Sequence, residues 1–168
     1  VTSIGNWVLG SCLNLTSIEI SDSVTSIGKG AFVYCDSLTS ITIPASVTTI
    51  GEEAFYNCRS LTSITIPASV TSVGDSAFDY CTSLTSIMIP DSVTTISKNA
   101  FANCYSLTSI NVNSENKYYS SKDGVFFNKD KTTLIQYPSG KTANKYAIPE
   151  SVTTIEDSAF EYCRNLTS

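Results

Sequence analysis

Hydrophobic and polar positions along this chain follow one pattern that returns every 23 residues. Cysteine marks the pattern, because it recurs at the same place in each unit, at Cys12, Cys35, Cys58, Cys81, Cys104 and, after a longer interval, Cys163. Each unit reads Leu-x-x-Ile-x-Ile-Pro, then Ser-Val-Thr-x-Ile, then Ala-Phe-x-x-Cys. One unit has too few apolar side chains to offset the entropy lost when its backbone becomes ordered. The pattern therefore predicts a solenoid of stacked 23-residue coils.

The second full unit shows which elements each coil is expected to contain. Ile41 to Ile43 alternate apolar and polar residues with the period of a strand, and Pro44 ends the strand because it cannot donate to a ladder. Val47 and Ile50 predict a second extended piece. The run Glu52 to Phe55 predicts about one helical turn, with acidic residues at its positive end. Stacking such coils would pair the strands into a parallel sheet and bury the apolar residues in columns.

This frame closely resembles the leucine-rich repeats of the BspA-like family, which occur in surface proteins of host-associated bacteria and mucosal protists. The resemblance implies an α/β repeat solenoid, with a parallel β-sheet on the concave face and short extended segments and helical turns elsewhere. It extends over the whole chain, so residues 1–168 are expected to form one leucine-rich-repeat domain. Neither end has the polar capping repeat that solenoids need for solubility, which predicts a fragment of a longer protein.

The interval before Cys163 contains an insertion, residues 113–148, that interrupts the repeat. Its segment Gly124 to Pro138 predicts a β-hairpin, with two strands around an Asn-Lys-Asp-Lys turn. Tyr146 to Pro149 then resembles the ordinary strand of the repeat. Two interpretations of the insertion are open, a structural variant of the repeat and a binding surface.

Charge is what favours a binding surface. The chain has a net charge of −5, which disfavours nucleic acids and anionic membranes as partners, and no apolar run is long enough to span a bilayer. Residues 113–151, in contrast, hold six lysines and four acidic residues. Within them, Lys117, Tyr118, Tyr119 and Lys122 form a candidate contact patch.

A second candidate surface is the open face of the predicted sheet. Its outward positions include Glu19, Thr42, Thr65, Met88 and Asn111. These residues lack the Tyr, Trp and Arg side chains that dominate binding hot spots, so a tight complex through this strip alone is not expected.

The candidate chemistry is sparse. The chain has no histidine, which excludes His-based acid–base relays, His-activated nucleophiles and nearly all zinc sites. It contains no Gly-rich phosphate loop and no cluster of metal ligands, so we expect no cofactor and no enzymatic activity. The equivalent cysteines are expected to be buried free thiols, and the threonine hydroxyls to bond backbone groups between coils.

The resemblance implies a non-enzymatic module in an extracellular or cell-surface protein, which contributes to adhesion or to recognition of host proteins. Its expected partners are extracellular or host-surface proteins, without nucleic acid and without direct insertion into a membrane. The alternative is a purely structural stalk that has no ligand of its own.

Overall fold

The computed structural model describes all residues from 1 to 168, and the chain winds into a stack of seven layers. Backbone hydrogen bonds join equivalent residues of neighbouring layers, as where the Thr48 N–H donates to the Thr25 carbonyl at 2.9 Å. The layers are residues 1–12, 13–35, 36–58, 59–81, 82–104, 105–140 and 141–163. The predicted solenoid is confirmed, and five of its layers keep the same sequence frame.

A five-stranded parallel sheet runs along one side of the stack. It is built from the second extended piece of each layer, where strands pair in register, with Ile27 opposite Ile50 and Ile50 opposite Val73. Each strand is two residues long: β1 (Ser3–Ile4), β2 (Ser26–Ile27), β3 (Thr49–Ile50), β4 (Ser72–Val73) and β6 (Thr95–Ile96).

On the predicted concave face, regular strands form only at β5 (Ser86–Ile89) and β7 (Ser109–Val112), which pair in parallel. The proline of the repeat explains this restriction, because Pro44 has no N–H to complete a ladder. In layer 6 the position of this proline, directly after β7, is occupied by Asn113. The Asn113 N–H donates to the Ile89 carbonyl at 2.9 Å. In the earlier layers single bonds such as Thr39 N–H to Thr16 O continue the stack without a regular strand.

The predicted helical turn is wrong, since the structure contains no helix. The segment after Gly51 is instead a bend of successive turns, in which Glu53 and Asn57 have positive φ angles of 55° and 61°. A right-handed helix requires negative φ at every residue. Alternate N–H groups bond within the bend, as Ala54 to Gly51, while the others bond to the next layer, as Glu53 to Asp75. The predicted α/β class is therefore corrected to a solenoid of β-strands and turns without a helix.

Three strands of the insertion and one strand of layer 7 form a separate four-stranded sheet, in the order β11–β10–β9–β8. Its strands are β8 (Tyr119–Lys122), β9 (Val125–Asn128), β10 (Thr133–Gln136) and β11 (Thr154–Ile155). The antiparallel pair β9–β10 confirms the predicted hairpin. A further hairpin joins β8 to β9 through Asp123 and Gly124, whose φ angles of 53° and 75° fit a type I′ turn.

Layer 6 carries these extra strands but lacks a full bend. Leu134 of β10 pairs with Ile155 of β11, and Tyr137 then occupies the place that Phe takes in other layers, stacked on Phe160 with ring centroids 5.4 Å apart. The predicted strand at Tyr146–Pro149 is not formed. The insertion thus adds one whole layer to the stack. This layer has a shorter bend and more strands than the regular layers.

Columns of identical side chains fill the core. The rings of Phe32, Phe55, Phe78 and Phe101 are stacked with successive centroids 5.1, 5.4 and 5.7 Å apart. All six cysteines are free, as predicted, and four of them are buried. The Cys58 thiol donates to the Phe32 carbonyl at 3.2 Å. The threonine prediction is confirmed too, since Thr48 Oγ1 donates to the Thr25 carbonyl.

None of the elements is a helix long and apolar enough to cross a bilayer.

We expect stability to fall in alkali because of the thiol column. Burial raises the pKa of Cys35 and Cys163 to about 11, and it raises those of Cys58, Cys81 and Cys104 further. The full contribution is present below the unfolded thiol pKa of about 8.5 and is lost as pH rises above it, by at most about 1.4 kcal/mol per pH unit for each of the deeply buried thiols Cys58, Cys81 and Cys104.

Urea unfolding between pH 8 and pH 10 measures this slope. The matched variant Cys58→Ala should have a shallower slope by one thiol. A free energy of unfolding that does not change over this range would contradict the prediction.

Candidate interaction site

One buried asparagine fixes the start of the insertion on the solenoid. Asn116 is fully buried, and its Nδ2 donates to the carbonyls of Pro90 and Val93 at 2.8 and 2.9 Å. Its Oδ1 accepts the N–H groups of Tyr118 and Tyr119 at 2.8 and 2.9 Å. All four hydrogen-bonding positions of the amide are used, so the backbone that enters β8 is held rigidly against layer 5.

The predicted contact patch divides into residues with different surroundings. Lys117 and Tyr118 are exposed side by side before β8, with 53% of the Tyr118 surface accessible. Lys122 is exposed at the far end of β8, about 13 Å from Tyr118 at roughly 3.3 Å per residue. Tyr119 is half-buried, with its ring 5.2 Å from that of Phe126 and its hydroxyl accepting the Ile96 N–H at 2.9 Å. The structure therefore keeps Lys117 and Tyr118 together and directs Tyr119 inward.

Part of the positive charge of the insertion is used inside the fold. The Lys129 ammonium donates to the backbone carbonyls of Ser114 and Asn116, and that of Lys141 donates to the Asp123 carbonyl at 2.7 Å. These two lysines hold the ends of the extra strands. The exposed lysines Lys117 and Lys122 make no such hydrogen bond.

The open-face strip does not lie on the five-stranded sheet, and of its residues only Met88 and Asn111 fall in regular strands, β5 and β7. Glu19, Thr42, Thr65 and Met88 are exposed on successive layers, while Asn111 is half-buried and donates to Ser109 Oγ at 3.3 Å. The strip contains a shallow depression lined by Ser17, Glu19, Asp22 and Thr42 among others. Its surface is small and hydroxylic, and no aromatic or arginine side chain enters it.

A cleft that sequence reasoning missed lies beside the insertion. We call it the bend cleft: its walls are residues 96–103 of layer 5 and 156–161 of layer 7, and its floor comes from layer 6. Its volume is about 300 Å³. It exists because layer 6 has the shortened bend, which leaves the bends of layers 5 and 7 facing each other. No motif marks such a gap, although the Asp123–Gly124 dipeptide could have revealed the extra hairpin.

A column of tyrosines passes the outer end of the bend cleft. Tyr105 and Tyr162 meet across the missing bend with ring centroids 5.4 Å apart. The Arg164 guanidinium lies 5.7 Å from the first ring and 5.8 Å from the second. Burial, together with the neighbouring Tyr80 and Tyr162, raises the pKa of Tyr105. The start of layer 6 is therefore in contact with layer 7 at this point.

The fold and these surfaces define a leucine-rich-repeat solenoid with exposed surfaces for contact and no converging set of reactive side chains. The sequence matches the family described as BspA type leucine-rich repeat region, in six copies, over residues 2–133 and 136–168. The chain belongs to this family, which confirms the resemblance. No curated protein sequence matches it.

Solved structures of bacterial leucine-rich-repeat proteins share the fold. The pneumococcal vaccine antigen PcpA is 33% identical with a TM-score of 0.78, over 82% of this chain and 34% of that one. A leucine-rich cell surface protein of Faecalibacterium prausnitzii is 34% identical with a TM-score of 0.76, over 97% and 50%. A leucine-rich-repeat protein of Bacteroides ovatus is 30% identical with a TM-score of 0.75, over 96% and 45%. This chain spans half or less of each of these proteins.

Removal of the hydroxyl should change the free energy of unfolding in opposite directions at two tyrosines of layer 6. The Tyr137 hydroxyl is buried without a hydrogen-bond partner, so Tyr137→Phe should stabilise the fold by about 1 kcal/mol. Tyr119→Phe leaves the Ile96 N–H without its acceptor and should destabilise it by about 1 to 2 kcal/mol. Urea unfolding of the two variants tests this contrast, and changes of the same sign would refute it.

Proposed function

We propose that this chain is a non-enzymatic extracellular module that binds host proteins, and that it contacts them through the face of the insertion that displays Lys117 and Tyr118. The membership of the family and the similarity to a bacterial cell surface protein support a role at the cell surface. The vaccine antigen PcpA supports exposure of such repeats outside the cell.

The observation that carries the proposal is the rigid display of Tyr118. Its N–H is held by the fully buried Asn116, yet half of its own surface is open to solvent. A tyrosine on an ordered backbone loses little conformational entropy on binding, and tyrosine is enriched among residues that dominate interface energies. Lys117 beside it adds a positive charge to an otherwise acidic protein, which favours encounter with acidic surfaces.

The competing function, a stalk without a ligand, is favoured by a different observation. Layers 2 to 5 repeat the same bonds between layers, so each regular layer can be added to the one before it in the same way. Such a segment would space other parts of a longer protein from the surface that carries them. The two functions differ in whether any exposed side chain contributes to binding.

Binding to a panel of extracellular matrix and plasma proteins separates the two functions. Tyr118→Ala should weaken binding at least tenfold, a loss of about 1.4 kcal/mol, because it removes an anchor side chain. Tyr34→Ala is the matched control, since Tyr34 is also an exposed tyrosine, with 44% of its surface accessible, and lies far along the stack in layer 2. Lys117→Glu should reduce the association rate, most at low salt.

Equal effects of the Tyr118 and Tyr34 substitutions would place the contact elsewhere. If the folded protein binds no member of the panel, the stalk is the better description.

A further inference from the structure

The bends of successive layers are joined by a fixed set of backbone hydrogen bonds. In layer 4 the N–H groups of Ser76, Phe78 and Tyr80 donate to carbonyls of layer 5 at 3.2, 2.8 and 3.2 Å. Layer 3 bonds to layer 4 in the same way. Each bend thus presents three donors, on alternate residues, to the layer that follows it.

This set of bonds stops at the bend cleft. The equivalent donors of layer 5 are the N–H groups of Asn99, Phe101 and Asn103, and none of them has an acceptor within the protein. All three residues line the bend cleft. The layer that should accept their hydrogen bonds is layer 6, whose bend is shortened. The Gln136 side chain reaches this part of the wall, but as a donor, to the Phe101 carbonyl at 2.9 Å.

The opposite wall offers acceptors in place of donors. The Ala159 carbonyl accepts the Tyr137 N–H at 2.8 Å, which is the one backbone hydrogen bond that the shortened bend donates to layer 7. The Asp157 carbonyl accepts none, and that of Glu161 receives only the Cys163 thiol at 3.7 Å. A group that fills the bend cleft must therefore accept hydrogen bonds on one side and donate them on the other.

We propose that the bend cleft binds a short basic peptide segment of a partner protein. A peptide backbone in the conformation of a bend supplies both, because the bend of layer 4 accepts hydrogen bonds from layer 3 at alternate carbonyls and donates to layer 5 from the alternate N–H groups between them. Everywhere else in the stack the space between two bends is filled by the chain itself. The bound segment would take the place of the bend that layer 6 lacks.

The charges that line the bend cleft favour a basic segment. Glu156, Asp157 and Glu161 line one wall of the bend cleft, and Lys98 is the one cation that lines it. The Lys98 ammonium lies 3.8 Å from Asp157 Oδ2, with 75% and 95% of the two side chains exposed. An ion pair so exposed contributes little, so a lysine or arginine of the partner can replace it at small cost.

The floor of the bend cleft accommodates an apolar side chain beside the charge. Tyr119 and Ile135 are half-buried there, and Phe126 lies beneath them. The volume of about 300 Å³ is at the lower end for ligand sites, which suits a few residues and not a folded domain. Tyr118 does not line the bend cleft, so this inference does not depend on the proposed function of that face.

Amide hydrogen exchange and backbone amide chemical shifts of the whole chain test the inference. In the free protein the amides of Asn99, Phe101 and Asn103 should exchange faster than their bonded equivalents, Ser76, Phe78 and Tyr80. The probe is a capped five-residue peptide of sequence Lys-Ala-Phe-Lys-Ala. It should shift the three free amides in a saturable way and slow their exchange, with a dissociation constant of about 0.1 mM, as expected for a small contact.

Three controls accompany this experiment. The acidic counterpart Glu-Ala-Phe-Glu-Ala should bind at least tenfold more weakly. Glu161→Lys should weaken binding of the basic peptide, whereas Glu150→Lys, an exposed charge reversal in the same layer outside the bend cleft, should not. Tyr118→Ala should leave this binding unchanged.

The inference is overturned if the basic peptide leaves the three amides unshifted, or if Glu161→Lys and Glu150→Lys have equal effects. It is also overturned if spermidine, a cation without backbone carbonyls, shifts and protects the same amides equally well. Shifts that depend on protein concentration without any peptide would assign the bend cleft to a second copy of this chain instead.

Discussion

The structure depends on the backbone hydrogen bonds that each layer must make to the next. A repeat of constant length places donors opposite acceptors at every turn of the stack, and the side chains then fall into columns without further adjustment. The bend meets this requirement only because residues such as Glu53 and Asn57 adopt positive φ, which turns alternate N–H groups along the axis of the stack. That conformation costs about 1 kcal/mol or more for a residue other than glycine, and the bonds between layers offset it.

Sequence reasoning predicted the parts of the fold that are encoded by side-chain type and spacing. The period, the apolar columns, the free thiols and the β9–β10 hairpin all follow from such signals. The helical turn was wrong because the run from Glu52 to Phe55 has a local preference for helix, whereas the bonds to the neighbouring layer require a different backbone. A local propensity is a weak signal where partners outside the segment satisfy the same groups.

The candidate surfaces were predictable only in part. Lys117 and Tyr118 are exposed as their polarity suggests, but the adjacent Tyr119 is half-buried, because its ring packs on Phe126 and its hydroxyl accepts the Ile96 N–H. The bend cleft had no signal at all, since it results from residues that layer 6 lacks. Its detection required the position of Tyr137 against Phe160, which only the three-dimensional register reveals.

The break in the ladder between layers 5 and 6 also divides the stack mechanically. At this junction β6 ends its sheet and the bend donors of layer 5 are free, while β5 and β7 still pair and Asn116 still bridges. Under a pull along the axis of the stack, we expect layers 5 and 6 to separate before layers 2 to 5 do, because fewer hydrogen bonds join them. The insertion and layer 7 would then separate from the stack as one unit, and the regular layers would stay folded.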